Sequence, residues 1–183
     1  MSTDTGPLKT SIDKLADMLA ECPALYERCG LAADDAQIRG KLRGEIEAVQ
    51  RRIFWPAADF ETYDVFPGCV IQPASMPVFE QIAGGRQNHL WVREGRLRVI
   101  LADEDRHPTD RVASADDFCD FASLVQWQLA QLSAQSDRLA IQMLDVDSRG
   151  QMDNGEPRLC QVEAGVSRGA FYWTCSFIVV WGS

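Results

Sequence analysis

Residues 171–181 read Phe171-Tyr-Trp-Thr-Cys-Ser-Phe-Ile-Val-Val-Trp181, an alternation that puts Phe171, Trp173, Cys175, Phe177, Val179 and Trp181 on one face and Ile178 and Val180 on the other. A period of two is the period of a strand, and apolar side chains on both faces belong to a strand covered on both sides. The segment is predicted to be the central strand of a sheet. Two shorter apolar runs precede it, Leu139 to Val146 and Arg158 to Glu163, so the C-terminal quarter reads as three strands joined by tight connections. Before them, residues 115–135 change period: Phe118, Phe121, Ala122, Val125, Leu129 and Leu132 recur at helical spacing, with Ser114 as the expected N-cap and Asp116 and Asp117 in the first turn.

Further upstream, residues 88–94 and 96–102 flank Glu94-Gly95, and Leu97, Val99 and Leu101 alternate with Arg96, Arg98 and Ile100. This predicts a β-hairpin turning at Glu94-Gly95, with one polar face. The stretch from Trp55 to Pro77 holds Pro56, Pro67, Pro73 and Pro77 and reads as irregular or edge-like, with Cys69-Val70-Ile71 its best strand. Residues 33–52 read as a helix through Ile38, Leu42, Ile46 and Val49, although Gly40 and Gly44 each weaken it by about 1 kcal/mol. Residues 8–21 form a clearer amphipathic helix, capped by Thr10 or Ser11 with Asp13 in its first turn, broken at Pro23 and resumed as far as Gly30. Helices and strands grouped without βαβ alternation predict an α+β fold, a mostly antiparallel sheet packed on helices. The expected organisation is a flexible N-terminus at 1–7 and a single domain over 8–183, with 31–77 a helical and proline-rich, insertion-like region.

Length and composition agree with one folded domain: 183 residues, 46% hydrophobic and 25% charged, which is far from the signature of disorder. The longest apolar run, Phe177 to Trp181, is much shorter than a bilayer span, and the N-terminus lacks an apolar leader core, so no membrane role is expected. A net charge of −9 argues against an open, phosphate-gripping surface. The six cysteines include no CxxC pair and read as buried thiols.

Constellations that carry chemistry are few. Asp145-Val-Asp147-Ser-Arg149-Gly150-Gln-Met-Asp153-Asn-Gly-Glu156 fits an EF-hand calcium loop at positions 1, 3, 6, 9 and 12. Against it, Arg149 stands at a ligand position, Pro157 follows the closing glutamate, and no exit helix or second hand accompanies it. A polar turn between strands accounts for the same residues, so Asp145, Asp147, Asp153 and Glu156 are weak candidate metal ligands only. His107, in the loop Asp103 to Asp110, matches no ligand spacing, and no nucleophile, base and orienting group assemble around it into a hydrolase. Gly84-Gly85 and Gly165 to Gly169 match no phosphate-binding fingerprint. No catalytic residue and no cofactor is expected. Arg93, Arg96 and Arg98 form a basic stripe which, with Glu94 and Arg149, makes the candidate subunit or partner interface.

Several passages together carry a family resemblance: the opening helix ending in Pro23-Ala-Leu-Tyr26, Arg51-Arg52-Ile-Phe54-Trp-Pro56 leading to Phe66-Pro67, Arg96-Leu-Arg-Val-Ile-Leu101, the helix from Asp116, and the closing Phe171 to Gly182. In layout the chain resembles, over residues 8–182, the tail-terminator proteins of long-tailed bacteriophages, also described as minor tail or tail-completion proteins. The resemblance implies a small α+β subunit of a hexameric ring that stops tail-tube growth and joins the tail to the head-side connector. It also implies residence in the virion at the head–tail junction, and in the host cytoplasm during assembly. Self, the tail tube protein and a connector or head-completion protein are the implied partners, with DNA passing through the channel without specific binding. Residues 31–50 and the proline-rich stretch depart from the family and leave another neck or head-completion role as an alternative. A soluble calcium-responsive binding module using the 145–156 loop is the other.

Overall fold

The computed structural model describes residues 6–32, 49–51, 66–82, 89–134, 142–144, 161–167 and 169–181. Helix α1, Pro7–Ala20, begins with Pro7 in its first turn, where a missing N–H costs nothing. The expected caps are corrected here: Gly6 is the N-cap, while the hydroxyls of Thr10 and Ser11 donate back to the carbonyls of Gly6 (3.3 Å) and Pro7 (2.9 Å). Asp13 therefore lies beyond the first turn. Pro23 breaks the helix as expected and starts α2, Pro23–Arg28. Gly30, at φ 76°, closes α2 with paired bonds from Leu31 N to Tyr26 O and from Gly30 N to Glu27 O, both 2.9 Å, a left-handed cap that favours glycine.

The strands are β1 (Val49–Arg51), β2 (Gly68–Ile82), β3 (His89–Glu104), β4 (Gln142–Leu144), β5 (Gln161–Ser167) and β6 (Ala170–Trp181), and α3 (Arg111–Ala134) lies between β3 and β4. They form one six-stranded sheet in the order β1-β2-β3-β6-β4, with β5 also paired to β6. Only the β1–β2 pairing is parallel. The fold is α+β, and β6 is central: β3 runs along one side, while β4 holds its end and β5 its beginning on the other.

The alternation of 171–181 translates into burial. Cys175, Phe177, Val179 and Trp181 join Leu97, Val99, Leu101, Cys69 and Ile71 on the sheet face covered by α1, α2 and α3. Ile12, Leu15 and Leu19 of α1 and Phe118, Phe121, Val125 and Leu129 of α3 fill the other half of this core. At about 25 cal/mol per Å² of apolar surface, burying each of the larger side chains contributes roughly 1.5–3 kcal/mol before entropy. The opposite sheet face buries Val70, Ile100 and Ala102 with Phe66 against them.

Four expectations are corrected. Val49–Arg51 is not the end of a helix but a strand in register with Cys69–Ile71, since an exposed edge of β2 offers backbone partners that outweigh local propensity. The β2 strand runs on through Pro73 and Pro77 to Ile82, and register shifts at Pro73/Ser75, Ser75/Val78 and Val78/Phe79 accommodate residues that cannot donate to a regular ladder. The region read as an insertion thus supplies strands of the main sheet. Helix α3 starts four residues earlier than expected, because Asp110 rather than Ser114 caps it: its Oδ1 accepts from the N–H groups of Val112 and Ala113, both at 3.1 Å.

The fourth correction concerns Glu94-Gly95, which is no turn. Residues 89–104 form one uninterrupted strand, and the hairpin is β2–β3, closing between Ile82 and His89. Gly95 lies opposite Trp181, and a Cβ built there would stand 2.3 Å from Trp181 Cε2. Its glycine makes room for an indole lying flat across the strand.

Candidate functional site

Gly95↔Trp181 is the last rung between β3 and β6. Beyond it, among the described residues, β2 and β3 pair only with each other, from Val78↔Glu94 to Ile82↔His89, as a two-stranded ribbon. The β2 strand of the ribbon and its approach carry no charge from Gln72 to Phe79. Met76, Val78 and Phe79 are 74%, 53% and 48% exposed, which gathers three large apolar side chains along one edge. Edge strands are ordinarily defended by charge or proline; here the prolines at 73 and 77 and the register shifts are the defence, and the side chains are sticky.

The expected interface residues divide around this ribbon. Arg96 pairs with Ser75 and Val180, and Arg98 with Gln72 and Ile178, so both lie in the sheet at the foot of the ribbon on the face opposite the helices. Glu94 opens the ribbon against Val78, and Arg93 falls at a register shift between Glu94 and Val92 with no ladder partner in β2. Arg149 and the loop residues Asp145, Asp147, Asp153 and Glu156 lie outside the described residues. Among the described residues no three metal-ligating side chains converge, and no helix is long and apolar enough to cross a membrane.

The sequence reading missed a second apolar surface. Val112, Leu124 and Trp127 on α3 are 71%, 50% and 63% exposed, on the side turned away from the core. Leu124 and Trp127 stand outside the apolar stripe that identified the helix, and this was the signal available: a helix apolar on more than one side is covered on more than one side.

A third feature is a charged cluster where the end of β3 meets α2 and the start of α3. Arg28 Nε donates to Asp103 Oδ2 at 2.6 Å, and its other guanidinium nitrogens grip Asp117, with Nη1 at 3.1 Å from Oδ1. Arg106 Nε reaches Asp103 Oδ2 at 3.0 Å. Burial opposes the Arg28 charge, but the hydrogen bonds and attraction of Asp117 and Asp103 outweigh it and raise its pKa above the ordinary value. The same Arg28 bond holds the Asp117 carboxyl below its usual range. Beside this pair, Asp105 accepts from the Ser114 hydroxyl and from Arg111, and Trp173 Nε1 donates to Ser114 Oγ at 2.7 Å.

A serine bonded to a carboxylate suggests a nucleophile; the described partners of the Ser114 hydroxyl are Asp105 and Trp173. Asp105 is held below the ordinary carboxylate range, first by Ser114 and then by the His107 backbone and Arg111, which makes it a poor proton acceptor. Trp173 can only donate. His107 lines the same loop with an exposed side chain; its backbone N–H donates to Asp105 Oδ1 at 3.2 Å and its carbonyl accepts from the Asp110 N–H at 2.9 Å. The cluster is a lock: it ties α2, β3 and α3 through paired charges 75 and 89 residues apart in sequence.

No family model matches this chain, and no curated protein matches it.

Proposed function

We propose that this chain is a non-enzymatic structural protein of a long-tailed phage virion, a tail terminator whose copies close into a hexameric ring. In this reading the ring stops growth of the tail tube, joins it to the head-side connector and lets DNA pass without gripping it. The observation that carries the proposal is the β2–β3 ribbon, at whose start Met76, Val78 and Phe79 are exposed within a run, Gln72 to Phe79, that carries no charge. A monomer gains nothing from such an edge, and a ring subunit needs one patch that meets a different patch on its neighbour. The α+β architecture agrees with what the resemblance implies, and an acidic chain is compatible with a channel wall that repels phosphates.

The test has two parts. Light scattering of the purified chain is expected to give six copies of 20.4 kDa, ~122 kDa, with or without calcium. Added to polymerising tail tube protein, the chain is expected to cap tubes at a defined end, seen as shortened tubes by electron microscopy. Tubes that grow to the same length with and without it would overturn the reading.

A further inference from the structure

We draw no further inference here: the strongest candidate, the exposed apolar line of Val112, Leu124 and Trp127 on the outward side of α3, carries nothing because nothing in the structure shows what covers it.

Discussion

Replacing Gly95 by alanine tests the strand reading of residues 89–104 at its tightest point. An alanine Cβ would sit 2.3 Å from Trp181 Cε2 and 2.6 Å from Cζ2 and Nε1, where carbon atoms prefer ~3.5–4 Å. The indole must therefore retreat by more than about 1 Å, yet Trp181 is 2% exposed and packed into the main core. That is overpacking against a rigid aromatic, and the expected cost is about 3 kcal/mol, a large share of the ~5–15 kcal/mol that stabilises a domain. With Trp181→Leu the obstruction is gone. That substitution costs roughly 3–4 kcal/mol by itself, but in its background Gly95→Ala becomes neutral or stabilising by up to ~1 kcal/mol, because alanine has less backbone freedom to lose. The cycle, read by urea unfolding monitored with far-ultraviolet circular dichroism, should return a coupling of about 3–4 kcal/mol. If Gly95→Ala costs the same in both backgrounds, Trp181 is not what the glycine serves and the register of β3 on β6 is wrong. A turn glycine would behave in that uncoupled way.

Four further outcomes follow from the same structure. Arg28→Met leaves Asp103, whose side chain is 2% exposed, with Arg106 as its remaining guanidinium partner, and should lower unfolding free energy by about 2–3 kcal/mol in denaturant titrations, with Arg28→Lys recovering only part because it cannot fork between two carboxylates. The depressed pKa of Asp117 means that its contribution is complete above the unfolded value of 3.8 and is lost as pH falls through the lower folded value; Asp117→Asn should lower the plateau at neutral and alkaline pH and flatten the acid limb of a stability–pH curve, so that the two proteins converge at low pH. Gln72 is 4% exposed and neither side-chain amide atom has a hydrogen-bond partner, so Gln72→Met should raise the urea midpoint, by about 1 kcal/mol in unfolding free energy. In a Cys160→Ser background, a disulfide reagent at pH 8 should modify exposed Cys119 quickly and spare Cys22 and Cys29, whose thiols burial pushes up to about 12 and about 11, as well as Cys69, which burial pushes up further; rapid loss of all thiols would contradict the core packing.

Much of the fold was legible in local pattern. The alternation of residues 171–181 marked the central strand, the stripe from Phe118 to Leu132 marked α3, and Pro23 marked the break between α1 and α2, since in each case one residue's neighbours in sequence are also its neighbours in the element. The failures share a different cause. Glu94-Gly95 carries a turn signal, yet what decides Gly95 is an indole 86 residues away. Val49–Arg51 reads as helix until Cys69–Ile71 offers it a ladder. Ser114 reads as a cap, but its hydroxyl is taken by Asp105 and Trp173 while Asp110 does the capping.

The candidate surfaces divide in the same way. The basic stripe at Arg93, Arg96 and Arg98 was visible because charge is written in composition, whereas the apolar edge begins at Met76 inside the stretch whose prolines read as irregular and continues at Val78 and Phe79 just past it. The order of amino acids alone determined the fold class, the central strand and the main helices, because hydrophobic periodicity is a local property that burial merely selects. Which strands pair, where the hairpin turns, and which apolar side chains remain uncovered were decided only by the tertiary structure, because each depends on a partner brought close by the folding of the whole chain.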